Sequence, residues 1–267
     1  MTHASPLRLL DLGSLITTRP ALPLSLTDTP PGPLRAAVIA TWHGRMVNEW
    51  MSSFVFLGLS RQLASIGERD AAACARTFAD EERRHGVACA SVVSAAGGTP
   101  KAMVAPPQRL PAHLDDTTPR VAVLRNALSI CCLSETVAVA LIGAERLEMP
   151  EGPLRALLTE IWADEVGHAR FGWELLDRLL PTLTASEHAD LAAYVPHALV
   201  HLEAHELLHL PVGSEPPAEG AAFGVCSGRA ARSLFFDTVE TVIVPELGKR
   251  GLTVSGSGLA AGERKVA

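Results

Sequence analysis

Two stretches of this 267-residue chain carry a glutamate and a histidine three residues apart: Glu82 and His85 in "ADEERRHG", and Glu165 and His168 in "ADEVGHAR". Residues at that spacing share one face of an α-helix, so each pair could approach a single metal ion from one side. A third pair, Glu206 and His209, lies further on, so the motif alone discriminates weakly. Two isolated acids discriminate better. Glu49 is the only charged residue between Arg45 and Arg61, and Glu135 is the only one between Arg125 and Glu145. A helix built from either stretch buries that position. A buried carboxylate with no counter-charge is costly and tends to take up a proton, whereas a metal cation removes the difficulty.

Spacing joins the isolated acids to the paired ones. Glu49 and Glu82 lie 33 residues apart, with their midpoint beside Gly67, and Glu135 and Glu165 lie 30 apart, with their midpoint at Pro150. In an antiparallel helical hairpin, residues equidistant from the turn sit at one height. Each hairpin therefore sets an isolated Glu level with a Glu-x-x-His pair. Two hairpins face to face would offer Glu49, Glu82, His85, Glu135, Glu165 and His168 to two metal ions. Hard oxygen donors with limited imidazole suit iron, or else manganese, better than copper or zinc.

The elements that must position these residues follow from composition and punctuation. The chain is 48% hydrophobic but only 4% aromatic, and it is rich in Ala and Leu, which favours helices over sheets. Helices are expected over about 33–65, 70–96, 119–148, 152–180, 186–210 (interrupted at Pro196) and 227–243. Residues 97–118 contain four prolines and read as a long connection between the hairpins. The expected fold class is thus all-α, a four-helix bundle of two antiparallel hairpins with a long crossover, plus about two C-terminal helices. Its organisation would be a lead-in over 1–32 and one helical domain over 33–250, followed by a flexible tail over 251–267. Within that domain the metal-binding core would cover about 33–180 and the extra helices about 186–250.

Several function classes are excluded. The net charge of −6 and the lack of a Lys/Arg cluster argue against nucleic acid as a partner. Cys74, Cys89, Cys131, Cys132 and Cys226 are odd in number and follow no CxxC spacing, so a reduced, cytoplasmic protein without a disulfide framework is expected. Asp11 and Arg19 interrupt any signal-peptide core. Residues 126–144 are nearly long enough to cross a membrane, but Glu135 would then sit at the costliest depth. A buried helix of a soluble bundle is the favoured reading.

These motifs resemble those of the ferritin-like di-iron carboxylate superfamily over about residues 33–180. The resemblance implies that Glu49, Glu82 and His85 come from the first hairpin, and Glu135, Glu165 and His168 from the second. It also implies that Asp164 supports His85 and Glu81 supports His168, because such proteins often hold each histidine with the acid preceding the other motif's Glu. No subgroup matches closely. Ordinary ferritins carry a single Glu-x-x-His. Arg83 stands where a bacterioferritin would place its haem-binding Met. Cys89 stands where a ribonucleotide reductase subunit would place its Tyr, and the only tyrosine here is Tyr194. Val139 replaces the Thr of many bacterial multicomponent monooxygenases, although Thr136 adjoins Glu135. "EERRHG" is similar to the motif of soluble acyl-carrier-protein desaturases.

The resemblance implies a di-iron oxidoreductase that activates O2 to hydroxylate, desaturate or N-oxygenate a small, apolar organic substrate. Two Fe ions are expected, with Mn or mixed Mn/Fe as variants. Phe78, Cys89, Cys131, Val139, Ile161 and Phe171 lie one turn from the ligands and would form a dry pocket. No flavin, nucleotide or rubredoxin motif is present, so electrons would come from a separate donor protein or from the substrate. A homodimer is allowed for. The alternative is a ferroxidase, or a peroxide scavenger of the rubrerythrin or manganese-catalase kind. His197, His201, His205 and His209 form a stripe at four-residue spacing, read as solvated, with entry of one histidine into the metal site left open.

Overall fold

A computed structural model describes residues 6–16, 32–113, 117–210, 212–213 and 215–253. Most of the expected lead-in and nearly all of the expected flexible tail lie outside the described residues. The elements run β1 (Arg8–Asp11), α1 (Gly13–Ile16), α2 (Pro33–Ser65), α3 (Arg69–Ala95), β2 (Lys101–Val104), α4 (Pro119–Ala127), α5 (Glu135–Glu148), α6 (Pro153–Leu179), α7 (Ala185–His209), α8 (Gly228–Thr238) and α9 (Val244–Lys249). The chain is mostly helical. It divides into two compact units, Met1–Leu110 with Ala144–Asp164 and Pro216–Cys226, and Pro111–Gly143 with Glu165–Glu215 and Ser227–Ala267.

The first unit is centred on the α2–α3 hairpin. Pro33 opens α2 at the position where a missing N–H costs nothing. Gly67, with φ of 87°, closes it: the Glu68 N–H reaches back to the Leu63 carbonyl at 3.0 Å and the Gly67 N–H to the Ala64 carbonyl at 3.1 Å. Ser60 donates to the Ala72 carbonyl at 2.7 Å, tying the two helices beside their turn. Further along, Gly86 lets them approach closely. A Cβ at that position would lie 3.2 Å from the Trp50 nitrogen and 3.4 Å from the Met46 carbonyl oxygen. α3 ends at Gly97 (φ of 82°) in a second left-handed cap. The connection expected beyond it holds β2, which pairs antiparallel with β1 in the register Arg8↔Val104 to Asp11↔Lys101. Two four-residue strands in mixed surroundings carry too little alternation to be seen in sequence.

The second unit packs α4, α7 and the C-terminal helices. Thr184 caps α7 in a reciprocal box with Glu187, and Arg232 donates to the Leu207 and Leu210 carbonyls at its far end, at 3.2 and 2.5 Å. Contrary to expectation, Pro196 does not interrupt this helix. A mid-helix proline costs about 3 kcal/mol, but Leu191, Val195, Ala198, Leu199 and Leu202 are buried on both sides of it, and the helix continues across it. The last helical stretch also runs past its expected end at residue 243, through a π-helical turn over Val239–Ile243 into α9.

Between α4 and α5 the helix widens into a π-helical turn, Leu128–Ser134, in which the Glu135 N–H reaches the Ile130 carbonyl five residues back. The full run Pro119–Glu148 is, by length and composition alone, the one described helix that could cross a membrane. Its polar residues Arg125, Asn126, Glu135, Thr136 and Glu145 are nonetheless buried in protein. Against the π turn lies Gly172 of α6, where a Cβ would come within 2.5 Å of the Cys131 Cβ and 2.8 Å of its carbonyl carbon. A methyl group there has to displace backbone. Gly172→Ala should therefore lower the unfolding free energy by about 1–3 kcal/mol, the usual cost of overpacking. Urea unfolding followed by circular dichroism measures it, and an unchanged midpoint would mean that the π turn yields freely.

Candidate metal centre

Each of the six expected ligands sits on a helix interior or at a helix start: Glu49 on α2, Glu82 and His85 on α3, Glu135 at the first position of α5, and Glu165 and His168 on α6. Residue exposure is 2% for Glu82, 4% for His85, 8% for Glu135, 3% for Glu165 and nil for His168, values rare for acids unless something compensates their charge. Glu49 is half-buried.

In the first unit, the close approach at Gly86 brings α3 against α2, and His85 Nδ1 lies 3.2 Å from Glu49 Oε2. The other ring nitrogen, Nε2, donates to Asp164 Oδ2 at 2.9 Å. That bond fixes the ring and leaves Nδ1 to face the carboxylates, the arrangement that metal-ligating histidines use. Arg84 also reaches Asp164, at 3.6 Å, and pairs with Glu81 at 3.5 Å. In the second unit, His168 Nδ1 lies 3.0 Å from Glu165 Oε2 and 3.7 Å from Glu135 Oε2. Trp173 donates its indole N–H to Thr136 Oγ1 at 3.2 Å, anchoring α6 to α5 one residue from Glu135.

The ligand atoms fall into two groups. Glu49, Glu82, His85 and Glu165 each offer one atom, all within 4.8 Å of one another, and Glu82, Glu135, Glu165 and His168 do the same. This buried carboxylate and histidine cluster could hold metal. Glu82 and Glu165 belong to both groups.

Electrostatics supplies the test of fit. Burial first, and then the neighbouring Glu165 charge, push the Glu135 carboxyl well above its ordinary range, against the pull of His168. Two carboxylates about 4–5 Å apart repel by roughly 3–4 kcal/mol at an effective dielectric near 20. A divalent cation between them turns each repulsion into attraction. The donor set, rich in carboxylate oxygen with one imidazole per group, fits hard divalent ions such as iron or manganese.

Of the residues expected to wall the site, Cys89, Cys131 and Ile161 are fully buried, while Phe78, Val139 and Phe171 are half-buried. Burial, then the Glu49 charge, raises the Cys89 thiol well above its ordinary range, and burial, then Glu135, does the same to Cys131. Both thiols therefore stay protonated. His197, His201, His205 and His209 are exposed on α7, and none belongs to either ligand group. Sequence reading missed Gly86, Gly172 and Trp173. A signal existed for the glycines, since one immediately follows His85 and the other lies one turn after His168. The chain matches no protein-family model, no curated protein and no solved structure.

The raised Glu135 carboxyl has a consequence for the metal-free protein. A group whose folded-state value lies above its unfolded one favours folding at low pH, and that contribution is lost as pH rises through the folded value. Metal-free protein should thus melt at higher temperature at about pH 5 than at about pH 8, with Glu135→Gln flattening the difference. Added Mn(II) should restore the melting temperature at the higher pH, because it binds only the folded state. Differential scanning calorimetry reads both effects, and a melting temperature indifferent to Mn(II) would contradict the site.

Proposed function

We propose that this chain is a ferritin-like di-iron oxidoreductase that activates O2 to oxidise a small, apolar organic substrate. The observation that supports it most is the sharing of Glu82 and Glu165 by the two ligand groups. Two ions held with carboxylates in common would need that arrangement, whereas a single structural ion would need only one group of four. When bound, two iron ions supply the electrons and Lewis acidity that O2 reduction requires.

The chain's own residues do the rest. Glu49, His85, Glu82 and Glu165 would hold one ion, and Glu135, His168, Glu82 and Glu165 the other. Asp164 holds the His85 Nε2 proton, so that Nδ1 is available as a lone-pair donor. Cys89, Cys131 and Ile161 exclude water, and their apolar surface suits a substrate without charge. A soluble cytoplasmic protein served by a separate electron donor accords with this reading. The ferroxidase or peroxide-scavenging alternative would use the same ligands without the organic substrate.

Anaerobic titration of metal-free protein with Fe(II), followed by metal analysis after desalting, should give two ions per chain on the two-group arrangement. Glu135→Ala should retain about one ion or fewer, because it removes a ligand and leaves His168 to hold its ion with the shared carboxylates alone. Oxygen-electrode traces of the loaded protein then separate the readings. O2 uptake that depends on an electron donor and rises with apolar organic compounds supports the oxygenase. Rapid peroxide loss with neither would move the assignment to a scavenger, and no metal uptake would sink both.

A further inference from the structure

The four-residue histidine stripe on α7 takes no part in the buried cluster. All four rings are exposed on one helix face, and the C-terminal half of the stripe is the more closely organised. His205 and His209 rings meet edge to face with centroids 5.2 Å apart, whereas His201 and His205 stand 6.4 Å apart. His205 Nδ1 lies 3.2 Å from Glu206 Oε1. An Nδ1–H donated to that carboxylate fixes the ring's tautomer and leaves Nε2 as a lone-pair donor facing solvent. Glu206 is half-buried, with a side-chain exposure of 16% against 54% for His205, so the carboxylate orients the ring from beneath while the imidazole faces outward.

The geometry points to a second metal site on the protein surface, a two-imidazole chelate of His205 and His209 oriented by Glu206 and completed by water. Two histidines at i and i+4 project from the same helix face, and rings already touching need only small rotations to share one ion. The ligand chemistry differs from that of the buried cluster. Imidazole with no directly bound carboxylate favours zinc, copper or nickel over iron, manganese or magnesium. His201 stands further off and is not required. The inference is independent of any assignment for the buried centre, because none of its residues is shared with that centre.

Zn(II) titration of protein carrying 13C-labelled histidine, followed by ring-resolved NMR, tests it against the whole folded chain. The His205 and His209 ring signals should shift together and saturate once Zn(II) exceeds what the buried cluster takes up, while the His197 signal stays in place. The double variant His205→Ala, His209→Ala should lose this event, and His201→Ala should keep it. These positions are exposed and Ala is the better helix former, so the variants should fold, which far-UV circular dichroism checks. Glu206→Ala should weaken the affinity about tenfold, the usual effect of removing a carboxylate that orients a ligating histidine. Ring signals unmoved by Zn(II) in excess of the buried cluster's capacity, or a double variant that binds Zn(II) as wild type does without loss of any event, would overturn the site. An affinity unchanged by Glu206→Ala would remove the orienting role.

Discussion

Like charge gathered in a dry interior is the constraint on which the architecture turns. Glu82, Glu135 and Glu165 are all nearly inaccessible to solvent, and each offers an oxygen to a group whose members lie within 4.8 Å. Carboxylates so placed repel, and each also forfeits hydration. Long helices answer the mechanical side of this problem, because every backbone group in them is satisfied internally and the side chains stay where the backbone sets them. Two glycines answer the geometric side. Gly86 allows α3 to lie against the backbone of α2 beside His85, and Gly172 allows α6 to lie against the π turn that leads into Glu135. A residue with a Cβ at either place has to displace the backbone that faces it.

Much of this was legible because hairpin geometry is nearly a matter of counting. The isolated acids Glu49 and Glu135 stand at turn-matched distances from Glu82 and Glu165, and Gly67 and the Met149–Pro150 break mark the turns. Six helical stretches fall within a few residues of their expected bounds at nearly every end, the exception being the last, which continues to Lys249. What counting misses is any departure from the regular repeat. The π turn over Leu128–Ser134 adds a residue to the helix without disturbing its apolar character, so no residue type announces it. Pro196 misled for the opposite reason, because a strong local signal was overridden by the burial of residues on both sides. The short strands β1 and β2 owe their existence to each other rather than to their own composition.

Which side of each histidine faces the carboxylates could not be read from spacing at all. The helix repeat places His85 and His168 on the right face but leaves both ring nitrogens equivalent. In the folded chain the choice is made by neighbours. Asp164 takes His85 Nε2, so Nδ1 is turned toward Glu49, and His168 likewise turns Nδ1 toward Glu165 and Glu135. The two histidines thus present the same ring nitrogen to their acids, although the motifs that carry them share only Glu, His and the preceding Ala-Asp or Asp-Glu context.

Two buried acids on one helix meet different surroundings. α5 carries two buried glutamates, Glu135 and Glu145, and burial pushes both carboxyls upward. Glu145 is answered by the Arg45 guanidinium, which pairs with it directly, stacks on Trp42 and remains charged because the carboxylate outweighs its own burial. That pair is self-sufficient in charge and calls for no further cation. Glu135 is answered by His168 and by a second carboxylate, so the local sum remains negative unless a proton or a metal ion joins it. A single proton would neutralise one acid, but it could not satisfy Glu82 and Glu165 in both groups at once. A bound cation could, because each shared carboxylate has two oxygens to offer and each group retains one imidazole.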